Sequence, residues 1–280
     1  MPVLAGDIGG TKTLLGLQLR AGQPMTIQAY GNAAFAGLEA ILADYLQGGS
    51  GAGIDLVLAV AGPVEQGRCQ MTNLPWLIES AALQRRFCFK SVHLLNDMEA
   101  TGWAMPLLST QGALTPLRGS TPDFRRPVAV MSVGTGLGEA VIIPQDKKGW
   151  RVLASEGGHK QFAPFNAQSA ALLQQAYLTG QSAVSWENWF SGSGLPHLFQ
   201  ALFPDMQAPD SATISQLAHT SPASPEGQCM TLFAQGLLAE AGNLALQYLA
   251  WGGVIFAGGV AQHVQAYLGD ANVQQYLARK

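Results

Sequence analysis

The sequence has little charge, few cysteines and no long apolar runs, and each shortage excludes a class of protein. Charged residues make up only 12% of the 280 residues, and the net charge is −3. The basic residues cluster only as pairs, at residues 85–86, 125–126 and 147–148, so no basic stripe is present to neutralise nucleic-acid phosphates. No stretch approaches the roughly 18 consecutive apolar residues of a membrane span. We therefore expect a protein that binds neither nucleic acid nor membranes.

The three cysteines do not form a recognisable framework. Cys69, Cys88 and Cys229 are far apart in the sequence and match neither a CxxC motif nor a Cys/His metal spacing. We interpret them as reduced thiols. The N-terminus lacks the basic region, apolar stretch and small-residue cleavage site of a secretory signal. These features together predict a cytoplasmic protein.

Strand and helix signals alternate through the first hundred residues, which is typical of a sheet with helices on its faces. A helix is predicted at 35–49, for example, from its apolar spacing and closing glycines. Residues 106–126 are rich in Pro, Gly, Ser and Thr, and we interpret them as the passage between domains 1–108 and 109–280. After this passage an apolar strand, a turn with Gly and Thr, and a returning strand repeat the opening pattern. The chain is predicted to be an α/β protein with two related halves.

The glycine turns of the two halves indicate phosphate binding. Residues 4–19, LAGDIGGTKTLLGLQL, place a Gly pair and a Thr between apolar strands, and residues 134–138, GTGLG, lie between strands in the second half. A glycine-rich turn lets backbone N–H groups point into a shared hollow that binds phosphate oxygens. In this interpretation Asp7 orients Mg²⁺ through its water shell, and Thr11 offers a hydroxyl to a phosphate. Either segment alone also fits an ordinary tight turn.

Six motifs occur in the order and approximate spacing of the bacterial glucokinase family: LAGDIGGTKT, LLNDMEATGWAMP, VGTGLGEAVI, SEGGHKQFAP, SGSGLPHLF and GGVIFAGGV. From its N-terminus to about Val260 the chain resembles this family, which belongs to the actin-like ATPase and sugar-kinase superfamily. The resemblance implies a two-domain actin-like (ribonuclease H-like) α/β fold with a cleft between the lobes. It also implies ATP- and Mg²⁺-dependent phosphorylation of glucose or a related hexose, at the entry to glycolysis. The Cys-rich motif of the related repressor/kinase group is missing, so no zinc is expected, whereas a homodimer is a further expectation.

The resemblance also implies which residues bind the sugar. Asp97 matches the base that takes the proton from the sugar 6-hydroxyl, and Asn96 matches a residue that binds neighbouring hydroxyls. Asn96 alone also fits a helix cap, with a Glu three residues on. The EGGH turn contributes Glu156 and His159 to the ring hydroxyls, and Glu187 matches a further sugar-binding Glu. Because two Trp residues flank Glu187, an ordinary amphipathic helix stays an alternative there.

The nucleotide-binding residues are inferred from the two glycine turns and from the same resemblance. They are Asp7, Gly9, Gly10, Thr11 and Lys12 in the first turn, Gly134, Thr135, Gly136 and Gly138 in the second, and Gly258 and Gly259 at the adenosine. Many family members have Asn where Lys12 stands. A Lys there either adds positive charge near the phosphates or is simply solvated. The Gly258 and Gly259 pair alone fits close backbone packing equally well.

The C-terminal part departs from the family pattern. Family members continue past the AGGV helix with a further strand and a closing helix, whereas this sequence ends in AQHVQAYLGDANVQQYLARK. Arg279 and Lys280 suit the negative end of the last helix dipole. The departure keeps two expectations open: an ATP-dependent kinase for glucose or another hexose, and a sugar-binding regulatory or degenerate relative with weak or no kinase activity. ADP and polyphosphate stay open as phosphoryl donors.

Overall fold

A computed structural model describes residues 1–20, 22–146 and 149–278. The basic pair at residues 147–148 and the terminal Arg279 and Lys280 lie outside the described residues. The chain divides into two compact units, Met1–Ala100 and Thr101–Lys280. The domain boundary after residue 108 that the sequence indicates stays a prediction.

The first unit is built on a five-stranded sheet in the order β3-β2-β1-β4-β7. Its elements are β1 (Val3–Ile8), β2 (Lys12–Gln18), β3 (Ile27–Gly31), α1 (Leu38–Tyr45), β4 (Asp55–Val60), β5 (Arg68–Gln70), β6 (Leu77–Glu79), α2 (Ser80–Phe87), β7 (Ser91–Asn96) and the start of α3 (Asp97–Thr110). The strand β1 is antiparallel to β2 and parallel to β4, and β4 is parallel to β7. The short strands β5 and β6 form a separate hairpin.

Apolar residues in period two explain why this sheet has a buried face. In β4, Leu56, Leu58 and Val60 are fully buried while the residues between them are half-buried. They pack into one apolar core with Leu4 and Ile8 of β1. Covering this core fixes the register of the strands, because a slip by one residue would turn every buried side chain outwards.

The second unit has a four-stranded sheet among its described residues, in the order β10-β9-β8-β11. Its strands are β8 (Val128–Val133), β9 (Leu137–Gln145), β10 (Gly149–Ser155) and β11 (Gly253–Ala257), and its helices are α4 (Ala167–Leu178), α5 (Trp186–Trp189), α6 (Leu195–Leu202), α7 (Ser211–Thr220), α8 (Pro225–Tyr248), α9 (Gly259–Leu268) and α10 (Ala271–Ala278). The three strands β8, β9 and β10 are sequentially antiparallel, and β11 is parallel to β8.

The long helix α8 is the centre of the second unit. Ser224 caps its N-terminus by accepting a hydrogen bond from the backbone N–H of Gly227, and Pro225 occupies its first turn. Buried residues lie on all sides of the helix, and Phe233 stacks on Phe190 in a cluster of aromatic rings. Within the described part of the chain, no helix has both the length and the apolar character needed to cross a membrane.

Candidate active site

Three strands of the first unit end in one row at the same edge of the sheet. Ile8 is the register partner of Val60, and Val60 is the register partner of Asn96. Because these strands are parallel, the segments after them emerge side by side, which is where ligands bind in open α/β sheets. The first glycine turn, the loop that begins at Ala61 and the start of α3 are therefore neighbours.

The first glycine turn is held from inside by a buried side chain. Asn32 is only 2% exposed, and its side-chain amide donates a hydrogen bond of 2.8 Å to the carbonyl of Gly9. Its backbone N–H donates to the carbonyl of Thr11 at 3.0 Å, and its side-chain oxygen accepts one of 2.8 Å from the Thr13 hydroxyl. Sequence reasoning missed Asn32 and Thr13. The available signal was a polar residue, Asn32, directly after the strand β3.

The glycines of this turn are not required by backbone conformation. Neither Gly9 nor Gly10 has a positive φ. A Cβ at Gly10 would instead lie 3.2 Å from the Cβ of Asn73, and one at Gly9 would lie 3.3 Å from the carbonyl oxygen of Lys12. The two glycines are therefore explained by close packing. Because Thr11 and Lys12 are exposed, the outer side of the turn is open to a ligand.

Asp7 is the carboxylate next to this turn. It lies on β1 opposite Leu14 and is exposed to solvent on one side. Desolvation by its surroundings raises the pKa of Asp7, and the positive charge of Lys12 opposes that rise. The described residues contain no group of three or more His, Cys, Asp or Glu side chains that could hold a metal ion alone. One carboxylate nevertheless fits Mg²⁺ that keeps most of its ligands as waters and phosphate oxygens.

Asn96 and Asp97 lie where β7 passes into α3. The Asn96 side chain donates to the carbonyl of Gly62 at 3.1 Å and accepts from the backbone N–H of Met98 at 2.9 Å. Asn96 therefore acts as a cap and also ties α3 to the neighbouring loop. The exposed carboxylate of Asp97 also accepts from Met98, at 2.8 Å. Burial raises the pKa of the Cys69 thiol, and the negative charge of Asp97 adds to that rise.

The second glycine turn and the Gly258–Gly259 pair lie together in the second unit. Ser132 of β8 is the register partner of Ala257 of β11, so the turns after these parallel strands are adjacent. Gly258 has φ +90°, and a Cβ there would collide with the carbonyl oxygen of Val133. Glycine is thus required at 258 both by conformation and by the close approach of β8. It precedes the N-terminus of α9, whose N–H groups and dipole favour anions.

A segment that sequence reasoning left without a role, residues 191–194, holds the second turn. The backbone N–H of Gly192 donates to the carbonyl of Gly134 at 2.8 Å, and that of Ser193 donates to the carbonyl of Thr135 at 3.1 Å. The Ser193 hydroxyl donates to the same Thr135 carbonyl at 2.7 Å. The sequence feature that could have indicated this contact is the SGSG motif, whose small residues permit such close backbone contacts.

The structure brings Glu156, His159 and Glu187 together. The Nε2 atom of His159 lies 3.8 Å from Oε2 of Glu156, and its Nδ1 atom lies 3.8 Å from Oε1 of Glu187. These separations exceed a hydrogen bond, and the His159 side chain is 59% exposed. An imidazole flanked by two carboxylates, open to solvent, can donate to and accept from several hydroxyl groups of one polar ligand.

Glu187 also connects this trio to the second glycine turn. In the short helix α5, Trp186 and Trp189 are buried, whereas Glu187 is half-buried. Its Oε2 atom accepts a 2.8 Å hydrogen bond from the backbone N–H of Leu137, and a Cβ at Gly136 would lie 2.6 Å from the same oxygen. The Trp residues thus fix the helix, and Glu187 points to the turn rather than to bulk solvent.

Comparisons with known proteins agree on one family. A family model described as glucokinase matches residues 4–280. A glucokinase from Synechocystis is 33% identical over 99% of this chain and 89% of its own length, and one from Cronobacter sakazakii is 32% identical over 92% and 81%. A solved glucokinase from an Antarctic psychrotroph matches with a TM-score of 0.82 and 30% identity, over 100% of this chain and 89% of that one.

Proposed function

The chain belongs to the glucokinase family, and from this premise we propose that it transfers the γ-phosphoryl group of ATP to the 6-hydroxyl of glucose. The products are ADP and glucose 6-phosphate. The observation that carries the proposal is that Glu156, His159 and Glu187 converge at the second glycine turn. A hydroxyl-binding trio beside a turn suited to phosphate is the combination that a sugar kinase needs.

In this proposal the trio recognises the sugar. The carboxylates of Glu156 and Glu187 accept hydrogen bonds from ring hydroxyls, and His159 donates to or accepts from a third. Asn96, with its side chain already oriented by Gly62 and Met98, binds hydroxyls near the reacting one. A hexose lacking one of these hydroxyls would leave a polar group of the protein unpaired, so such a sugar is rejected.

The glycine turns hold the nucleotide phosphates in this proposal. Backbone N–H groups of Gly10, Thr135 and Gly136 donate to phosphate oxygens, with the exposed Thr11 and Thr135 adding hydroxyls. Gly9 and Gly134 shape the two turns, since their N–H groups donate to the carbonyls of Lys12 and Gly136. Gly138 comes after the second turn on β9, while Gly258 and Gly259 pack against the adenosine. Lys12 adds positive charge, and Asp7 would hold Mg²⁺ through water. Bound Mg²⁺ would supply neutralisation of the charge that develops on the phosphates.

Asp97 is proposed as the general base. Its carboxylate accepts the proton of the glucose 6-hydroxyl as that oxygen forms a bond to the γ-phosphorus, and the bond from the γ-phosphorus to the bridging oxygen of ADP breaks. Its place at the first turn of α3 keeps the carboxylate on a rigid element, and its exposed position leaves it accessible to substrate. Such a base typically contributes 10²–10⁴-fold to the rate.

The variant Asp97→Asn tests this role. We expect kcat to fall by about 10²–10⁴-fold, with the glucose dissociation constant, measured by calorimetry without nucleotide, within about threefold of the unchanged protein. Glu99→Gln, which removes a carboxylate two residues further along α3, is the matched control and keeps kcat near normal. A near-normal kcat for Asp97→Asn would refute the assignment. Assays with other hexoses and with ADP or polyphosphate define the substrates.

We further propose a reducing, cytoplasmic location and keep the homodimer as a prediction. The three thiols support the first point, because Cys69, Cys88 and Cys229 are all free and two of them are buried away from any partner cysteine. Sedimentation of the purified protein tests the second point.

A further inference from the structure

A buried cluster of charge lies directly beneath the sugar-binding turn. The Nζ atom of Lys160 lies 3.2 and 3.0 Å from the two carboxylate oxygens of Glu139 and also pairs with Glu240. Glu139 is 1% exposed and Glu240 is fully buried, whereas Lys160 is about one-third exposed. The cluster joins three elements: β9, the residue after His159, and α8.

The equivalent place in the first unit is apolar, which makes the buried carboxylate of Glu139 unusual. Counting paired residues back from each glycine turn, the third pair is Gly6 with Leu15 in the first hairpin and Met131 with Glu139 in the second. Leu15 is fully buried in the apolar core. Burying a carboxylate is far more costly than burying a leucine unless the charge is paired. The burial of these charged side chains at this position therefore requires a structural explanation.

The contacts of Glu139 and Lys160 suggest that reason. A Cβ at Gly157 would collide with Oε2 of Glu139, so this carboxylate fills the space under the turn between Glu156 and His159. Lys160 continues the same turn, and its backbone N–H donates to the carbonyl of Gly157 at 3.1 Å. The turn is thus supported from below by Glu139 and held at its end by Lys160.

We propose that Lys160 and Glu139 are positioning residues for sugar recognition: their ion pair fixes the Glu156 to His159 turn above β9, and Glu240 anchors Lys160 to α8. The inference rests on the proposed function, because it concerns the same sugar site. Lys160 and Glu139 touch no substrate in this account. They act on glucose affinity through the positions of Glu156 and His159.

The charge of the cluster depends on pH. Burial raises the pKa of Glu139 to about 7, with a smaller rise from Glu240 and an opposing effect of Lys160. The charged groups that face Glu139 are Lys160 from the turn and Glu240 from α8, with Glu156 and His159 on the turn above, while its β8 partner Met131 is apolar. The Glu139 carboxyl binds its proton more tightly in the folded protein than in the unfolded chain, where its pKa is 4.5. Protonation of Glu139 therefore adds to the free energy of unfolding: this contribution is fully present below about pH 4.5 and is lost above about pH 7.

Removing the cation should make glucose binding depend strongly on pH. In Lys160→Met two buried carboxylates face each other without a cation, although the Asn243 side chain still donates to Glu240, and at pH 8 their repulsion displaces the turn. At pH 6 a bound proton relieves that repulsion. We expect Lys160→Met to weaken glucose binding about tenfold at pH 8 and at most about threefold at pH 6. Calorimetry with glucose alone measures both values.

Two further variants separate positioning from general damage. Glu139→Gln combined with Lys160→Met removes the repulsion, so the affinity at pH 8 should recover to within about threefold of the unchanged protein. Lys160→Arg, which keeps the positive charge, should retain most of the affinity at pH 8. Lys90→Met is the matched control, because Lys90 pairs with Asp55 in the other unit in a more exposed ion pair; its affinity should be unchanged at both pH values.

Equal glucose affinity of Lys160→Met and the unchanged protein at both pH values would overturn the inference, as would a loss independent of pH that Glu139→Gln does not rescue. If Lys160→Met does not fold, Glu139→Gln alone decides. Because Glu139 loses its proton between pH 6 and 8, we expect the glucose dissociation constant of the unchanged protein to rise over that range; a smaller rise in Glu139→Gln supports the inference, and an equal rise, or no rise in the unchanged protein, overturns it. Absence of glucose binding by the unchanged protein would overturn the proposed function itself.

Discussion

The two units contain the same arrangement of four strands, β3-β2-β1-β4 in the first and β10-β9-β8-β11 in the second. In each, an antiparallel hairpin carries a glycine turn, and a parallel strand joins the first strand of that hairpin. The turns differ in length. Counted between the last paired residues of each hairpin, the first turn contains residues 9–12 and the second contains residues 134–136. The first sheet continues to β7, whereas the described second sheet ends at β11.

The segment that follows the third strand contacts different groups in the two units. In both units this segment forms a short 3-10 helix, Asn32–Ala34 in the first and Gly157–His159 in the second. In the first unit this helix turns Asn32 inwards to hold the glycine turn. In the second it presents His159 to solvent beside Glu187, and residues 191–194 hold the glycine turn instead. One structural position has thus been used for support in one unit and, in our proposal, for sugar recognition in the other.

Between matching positions of the two units, the largest difference in effect is expected for Asp7 and Ser132, which occupy the second pair back from their turns. Only the first unit has a carboxylate at this position. Asp7→Asn should lower kcat by about 10²-fold, because it removes a charge that organises the phosphates and Mg²⁺, whereas Ser132→Ala should stay within about threefold. Rates measured across a Mg²⁺ titration check both. Similar losses for the two variants would contradict an asymmetric role for the two hairpins.

A smaller effect is expected at Asn32, the buried support of the first turn. Asn32→Ala leaves the Gly9 carbonyl and the Thr13 hydroxyl without their partner, so the free energy of unfolding should fall by about 1–3 kcal/mol. The KM for ATP should rise by about tenfold as the turn loosens. Urea unfolding and steady-state kinetics measure the two quantities. Thr13→Val, which removes only one of these hydrogen bonds, should have the lesser effect on both.

The smallest effect is expected at Ser193, the side chain that supports the second turn. Ser193→Ala removes the hydroxyl bonds to the Thr135 carbonyl and to the Ser191 hydroxyl but leaves the backbone bonds from Gly192 and Ser193 intact. The free energy of unfolding should fall by about 0.5–1.5 kcal/mol, and the KM for ATP should change by less than about threefold. A loss as large as that of Asn32→Ala would mean that the two turns are supported in the same way.

Local patterns in the sequence predicted much of this architecture. The duplicated hairpins are confirmed, and so is the glucokinase family that the six motifs indicate. The helix expected at 35–49 is α1, Leu38–Tyr45, which is shorter at its C-terminal end because Gln47 and Gly48 adopt left-handed backbone conformations. The long helix α8 begins at Pro225, because the Ser224 cap and the first-turn Pro set its start before the apolar run.

The supports of the site were not predictable in the same way. Asn32 contacts the turn at Gly9 across 23 positions of sequence, and Ser193 contacts Thr135 across 58. Lys160 pairs with Glu139 and Glu240 from two other elements. Such contacts depend on strand register and helix packing, whereas propensity and periodicity report only on neighbours within about one helical turn. The proposed roles of the site residues themselves stay predictions.

Phosphorus NMR of the unchanged protein with ATP, Mg²⁺ and glucose tests the central claim most directly. The account predicts that the γ-phosphate signal of ATP is replaced by equal amounts of ADP and a sugar 6-phosphate signal, with little inorganic phosphate. Glucose binding without any phosphorylated sugar, or conversion of ATP to inorganic phosphate alone, would contradict it.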